Sequence, residues 1–121
     1  MSEIIFIDGK FYPRDKAKVS VFDHGLLYGD GVFETLCAVN FQLIRWDDHW
    51  ERMIKGLAVC GLEIKDKSGG LRDRIEFALK ENKITDAYVR ISVFRRATDS
   101  FDPRSEKRTT VLVLIKRHHS H

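Results

Sequence analysis

Cysteine, long apolar runs and net charge are all scarce in this sequence, and each shortage removes a class of protein. Cys37 and Cys60 are its only thiols. Neither has a Cys or His at ligand spacing, so no zinc site is expected and two buried thiols in a reducing cytosol are. The longest apolar stretches, such as Val111 to Ile115, are far too short to cross a bilayer, so no membrane partner is expected. Lys+Arg 21 against Asp+Glu 18 leaves only +3. The basic residues are dispersed, with Lys16 and Lys18, Arg95 and Arg96, and Lys116 and Arg117 in separate places. They read as solvated surface, and a nucleic-acid partner is not expected. The opening Ser2-Glu3 has no basic segment or cleavage site, which points to a cytoplasmic protein. No nucleophile motif, HExxH run or Gly-Lys-Ser/Thr loop occurs, so no catalytic residue and no metal ligand is assigned. His49 reads as a neutral surface imidazole on the first turn of a helix.

What is present is ordinary globular material: 121 residues, 43% hydrophobic and 32% charged. A chain of this length buries roughly two-thirds of its unfolded surface and supports one core. Ile4 to Ile7 is β-rich and closes on Asp8-Gly9, a hairpin signal, with Lys10 to Tyr12 returning as far as Pro13. Lys18 to Val21 alternates like a short strand. Gly29-Asp30-Gly31 must be irregular, because neither helix nor strand tolerates that density of glycine. Val32 to Val39 reads as a strand, Asn40-Phe41 as a turn and Gln42 to Ile44 as its partner.

Asp47 or Asp48 is placed to cap a helix, with Glu51 completing a capping-box pattern. Trp50, Met53, Ile54, Leu57 and Ala58 form its apolar stripe, and Gly61 ends it. After a Ser68-Gly69-Gly70 loop, a second helix spans Leu71 to Glu81 with Leu71, Ile75, Ala78 and Leu79 on one face, closed by Asn82. Ala87 to Phe94 and Thr109 to Ile115 are further strands, joined by a long polar loop, Ala97 to Arg108. Strands around two consecutive helices, without βαβ alternation, predict an α+β domain: an antiparallel sheet with two helices on one face.

Three blocks carry more information than these patterns. They are Asp23-His24-Gly25-Leu26-Leu27-Tyr28-Gly29-Asp30-Gly31-Val32-Phe33-Glu34-Thr35, then Asp47-Asp48-His49-Trp50-Glu51-Arg52, then Ala87-Tyr88-Val89-Arg90. In this order and spacing, with the opening Phe6-Ile7-Asp8-Gly9-Lys10, the chain resembles the class IV pyridoxal-phosphate (PLP) enzymes. These are the branched-chain aminotransferases, D-amino acid aminotransferases and aminodeoxychorismate lyases. The resemblance covers nearly the whole chain.

The resemblance implies that Arg52 is a ligand of the PLP phosphate, a role that suits a bidentate, permanently charged guanidinium. The residues alone, without the resemblance, favour an exposed helical arginine paired with Asp48, four positions earlier. By the same resemblance Tyr28 and Phe33 line the substrate pocket, and Gly29 and Gly31 let the backbone pass close to substrate. Tyr88 and Arg90 match the Tyr-x-Arg block of the branched-chain enzymes, and their spacing puts them on one face of a strand. Phe33 could instead be a core aromatic, and Arg90 could face solvent.

The chain departs from the family in carrying Ile91 where proline usually follows that block. It also has Phe94-Arg95-Arg96 in place of a Thr-Arg-Gly turn, and no histidine beside Arg104 in the following loop. The last difference weighs against a D-amino acid enzyme.

Residues 1–116 are expected to form the N-terminal domain and 117–121 the start of a linker or tail, without the lysine-bearing domain that holds PLP. The implied whole protein is a homodimeric transaminase exchanging an amino group between a branched-chain amino acid and 2-oxoglutarate, with this chain alone inactive. An aminodeoxychorismate lyase-like domain and a stand-alone, non-catalytic binding module are the alternatives.

Overall fold

Six antiparallel strands in the order β2-β1-β6-β5-β3-β4 make up one sheet of the computed structural model, which describes residues 3–23, 26, 29–96 and 108–118. They are β1 (Glu3–Ile7), β2 (Lys10–Tyr12), β3 (Gly31–Val39), β4 (Gln42–Leu43), β5 (Ala87–Arg95) and β6 (Thr109–Arg117). Two helices, α1 (Trp46–Cys60) and α2 (Ser68–Glu81), follow one another between β4 and β5. The expected α+β architecture is the one observed.

The sheet begins at the predicted hairpin. Asp8 and Gly9 both take positive φ (51° and 84°), as a tight two-residue turn requires, and Phe6 then pairs with Phe11. Strand period then sorts the side chains. Leu36 and Ala38 of β3, Val89, Ile91 and Val93 of β5, and Val111, Val113 and Ile115 of β6 all point to the helices and are buried. Met53 and Leu57 of α1 and Leu71, Ile75 and Leu79 of α2 meet them in one core cluster.

Gly56 brings α1 close to the sheet: a Cβ there would sit 2.9 Å from Val32 Cγ1. Gly61 ends α1 at φ 70°, its N–H reaching the Ala58 and Leu57 carbonyls. Both α1 and α2 lie on that one face, and Phe33, Tyr88 and Leu114 are exposed on the other.

Several expectations need correction. Asp47 and Asp48 lie inside the first turn of α1, and the residue before it is Arg45 in a left-handed conformation with no side-chain cap. Glu51 pairs with Lys55 at 3.1 Å instead of completing a capping box. Ile54 and Ala58 of the expected stripe are exposed, because the buried face is turned towards Trp46, Met53 and Leu57. Helix α2 starts at Ser68, absorbing both glycines, and Ser68 accepts a hydrogen bond from Trp46 Nε1 at 2.8 Å.

Lys18 to Val21 is not a strand. No partner strand reaches it, and Ser20 turns the chain locally by accepting from the Phe22 and Asp23 amides. Cys37 is exposed on the face away from α1 and α2 and Cys60 is half-buried, so the expectation of two buried thiols fails. Arg95, expected on the surface, is buried. Strand β6 runs to Arg117, and the His118 amide bonds Asp86, one step past the expected domain end. The predicted 97–108 loop lies outside the described residues except for Arg108.

Candidate functional site

Strand β3 divides the candidate residues between its two faces. On the helix side its row runs Val32, Glu34, Leu36, Ala38, so Glu34 is a carboxylate in an otherwise apolar line. Its exposure is only 6%. Burying a carboxylate that way costs several kcal/mol unless charge and hydrogen bonds compensate.

The compensation comes from α1. Arg52 donates from Nε to Glu34 Oε1 at 2.7 Å and from Nη2 to Oε2 at 2.6 Å, a two-point fork. His49 Nδ1 lies 2.8 Å from the same Oε2. An ionised carboxylate only accepts, so Nδ1 carries the proton in this arrangement. Arg52 Nη2 is also 3.4 Å from Nδ1, a contact between two donors and not a bond. The bond from Arg52, opposed by burial and aided by His49, holds the Glu34 carboxyl below its ordinary range, and the same bond raises Arg52 further above its own.

Helical spacing of three residues puts His49 and Arg52 on one side of α1, where both reach the same carboxylate on β3. Asp48, the alternative partner for Arg52, pairs with Arg45 at 3.2 Å. His49 is therefore half-buried and engaged, not a free surface imidazole.

On the face away from α1 and α2, Phe33 of β3 and Arg90 of β5 meet across the sheet. The Arg90 guanidinium carbon sits 4.3 Å from the Phe33 ring centroid, within cation–π range. The register explains it: Thr35 pairs with Arg90 and Phe33 with Ser92, so Phe33 and Arg90 are diagonal neighbours. Around them is a cavity of about 400 Å³ whose lining includes Gly29, Gly31, Ser92 and Leu112. Arg90 has no ion-pair partner among the described residues. Among the described residues, no lysine lines the cavity.

The glycine turn beside this cavity is held from below. Arg95, only 2% exposed, donates from Nε to Asp30 Oδ2 at 2.5 Å and from Nη2 to the Cys60 carbonyl at 2.9 Å. Gly29 takes φ 62° with open space around it. At Gly31 a Cβ would lie 2.4 Å from the Val93 carbonyl oxygen and 2.7 Å from Phe94 Cα. That collision is with the chain's own neighbouring strand.

Of the expected residues, Gly29, Gly31, Phe33 and Arg90 thus line one cavity. Tyr88 shares the face of Arg90 but lies outside that lining, its ring 4.8 Å from His118. Arg52 is on the other side of β3, against Glu34, and takes no part in that lining. Tyr28 lies outside the described residues.

Sequence reading passed over Glu34, Asp30 and Arg95. Glu34 had a usable signal, a lone acid in the inward row of an alternating strand. Arg95 had the same signal at the end of β5, as a cation in register with Val89, Ile91 and Val93.

A more polar cleft of about 460 Å³ opens between Asp8, Asp66, Arg74 and Arg96. Two ion pairs cross it, Arg74 with Asp66 and Arg96 with Asp8, the latter at 3.1 Å. The described residues contain no group of three metal-ligating side chains, and no helix is long and apolar enough to cross a membrane.

Comparison with known proteins gives the site a context. The family model for amino-transferase class IV matches residues 31–121. A putative branched-chain-amino-acid aminotransferase of Methanocaldococcus jannaschii is 36% identical over 111 residues, covering 91% of this chain and 38% of that protein. A D-alanine aminotransferase of Staphylococcus epidermidis is 31% identical over 93 residues, 77% of this chain and 33% of that one. Among solved structures, a T.th. branched-chain amino acid aminotransferase complexed with N-(5'-phosphopyridoxyl)-L-glutamate superimposes with a TM-score of 0.85 at 25% identity. That match covers 98% of this chain and 41% of that chain. The 4-amino-4-deoxychorismate lyase of Pseudomonas aeruginosa shares the fold at a TM-score of 0.72 and 24% identity, over 90% of this chain and 38% of that one. The chain spans between 30% and 41% of the length of relatives such as these.

Proposed function

The chain belongs to the class IV aminotransferases, and from that premise we propose that the whole protein is a PLP-dependent transaminase acting on a branched-chain amino acid and 2-oxoglutarate. One observation carries the reading: β3 has a guanidinium on each side, Arg52 against its helix face and Arg90 over Phe33 on the other. A reaction that joins a phosphorylated cofactor to carboxylate substrates needs two such cationic points.

Arg52 fits a phosphate. Of its five N–H donors, Nε and one on Nη2 are given to Glu34, which leaves Nη1 and the second Nη2 proton outward on a side chain that is 70% exposed. When bound, PLP supplies the electron sink that weakens a bond at the α-carbon of an amino acid. The chain's own contributions are binding and orientation. Arg52 holds the phosphate, and Arg90, steadied by the Phe33 ring, meets a substrate carboxylate. Phe33 and Leu112 give the cavity an apolar wall suited to an aliphatic side chain. Tyr28, Gly29, Gly31 and Tyr88 complete the substrate side in this reading.

The lysine that carries PLP and the remaining phosphate contacts are assigned to parts of the protein beyond this chain, and the working enzyme is taken to be a homodimer in the cytoplasm. Removed from those parts, the chain is expected to be inactive. The D-alanine aminotransferase and the lyase among its relatives keep two other activities in the test.

The test is to supply the whole protein with PLP and, in turn, L-leucine with 2-oxoglutarate, D-alanine with 2-oxoglutarate, and aminodeoxychorismate. Glutamate formed from leucine, lost on Arg90→Ala, supports the proposal. Retention of PLP with turnover of D-alanine or of aminodeoxychorismate alone would replace it, and failure to retain PLP would sink it.

A further inference from the structure

We propose that Glu34 is a positioning residue, which takes the Nε/Nη2 side of the Arg52 guanidinium and so turns its Nη1/Nη2 end outward as a preset anion contact, with His49 fixing Glu34 in turn. This rests on the reading of Arg52 as the phosphate ligand.

A free arginine on an exposed helix turn samples many rotamers, and an anion that binds it must bear the cost of ordering it. Arg52 is 70% exposed at its side chain, yet two bonds of 2.7 and 2.6 Å hold its inner edge to a carboxylate that is itself rigid. The rigidity of Glu34 has two sources. Its backbone is in the middle of β3, paired to Ile91 of β5, and its second oxygen is shared with His49 at 2.8 Å. A planar fork bound along one edge cannot swivel, so its other edge keeps a fixed direction. No other partner engages that edge among the described residues.

The position of Glu34 also argues for a role beyond packing. Its row neighbours Val32 and Leu36 are apolar, and a buried ion pair adds little stability over a well-packed apolar residue. What the carboxylate supplies that an apolar residue cannot is a defined orientation for Arg52.

Two effects compete when Glu34 is changed. Losing the negative charge favours anion binding, and for a phosphate carrying close to two charges, roughly 6 Å from a carboxylate as buried as Glu34, the gain is about tenfold or more. Losing the preset orientation disfavours it by about three- to tenfold, the cost of ordering one long side chain. Glu34→Asp, which leaves the charge in place, isolates the second effect.

The experiment compares PLP with pyridoxal, which lacks the phosphate, in binding titrations of the whole protein. Arg52→Ala is expected to lower the PLP-to-pyridoxal affinity ratio strongly. If it does not, Arg52 is no phosphate ligand, and that failure is separate from anything Glu34 does. With that arm positive, Glu34→Asp is expected to lower the ratio about three- to tenfold, and should not act further once Arg52→Ala is present. Wild-type behaviour of Glu34→Asp, which keeps the charge but cannot reach both nitrogens, overturns the proposal, as does an equal fall when Arg52→Ala is already present. A readout independent of cofactor guards against misfolded variants. In the wild-type protein the Arg52 Nε–H should exchange slowly with water by NMR, and fast exchange there would refute a fixed guanidinium outright.

Discussion

Arg95 clamps Asp30 twice, its backbone N–H donating to the Asp30 carbonyl at 3.0 Å and its Nε to the Asp30 carboxylate at 2.5 Å. A third bond, from Nη2 to the Cys60 carbonyl at 2.9 Å, ties the same guanidinium to the last turn of α1. The glycine turn next to the cavity is thereby fastened to both the sheet and a helix by one buried side chain.

Arg95→Met keeps the apolar stem and removes all side-chain donors, leaving Asp30 and the Cys60 carbonyl without them. Urea denaturation should show a loss of about 3 kcal/mol, the scale for removing one partner of a buried pair. Asp30→Asn should cost less, since that carboxylate is partly open to water.

The two glycines of the turn should respond differently to alanine. Gly31→Ala drives a methyl group into the backbone of Val93 and Phe94, where nothing can move cheaply, and should cost about 2–3 kcal/mol. Gly29→Ala meets open space and bears only the left-handed strain, about 1 kcal/mol. Thermal melts of the two variants test the order, and a reversed order would mean that the turn is shaped otherwise.

Stability should fall with acid in a way that depends on Glu34. Its folded-state carboxyl titrates below the ordinary 4.5, so its stabilising contribution is complete above that value and is lost as pH drops through and below it. Urea midpoints measured from about pH 7 down to about pH 3 should decline more steeply for the wild type than for Glu34→Gln. Parallel declines would show that the Arg52 and His49 bonds do not bias the titration.

Ser68→Ala should cost about 1 kcal/mol by leaving the Trp46 indole N–H without its acceptor, which links the start of α1 to the start of α2. The change is best read by denaturant unfolding, with tryptophan fluorescence reporting the altered site.

Phe33→Ala removes the ring under Arg90 and should free the guanidinium at a cost of about 1 kcal/mol in its placement. If Arg90 meets a substrate carboxylate, KM for the oxo acid should rise several-fold in the whole enzyme while kcat changes less. An unchanged KM would detach the pair from substrate binding.

Local pattern determined a great deal here. The Asp8-Gly9 hairpin, the strands read as ending at Val39, Phe94 and Ile115, both helices and the Gly61 stop follow from period and turn residues, which act within a few positions, while neither helix start carries the side-chain cap that was expected at α1. The motif resemblance likewise lay in the string of residues itself. Tertiary structure decided what faced each charge. Arg52 had an acid four places earlier in Asp48, yet its partner is Glu34, 18 positions away on a neighbouring strand. Arg95 is a core residue because Asp30 and Cys60 come to it from 65 and 35 positions away, and Cys37 is exposed because no described element covers its face of the sheet. Periodicity specifies which side of its own element a residue occupies. It does not specify what arrives on that side, and the cost of a buried charge depends on that arrival alone.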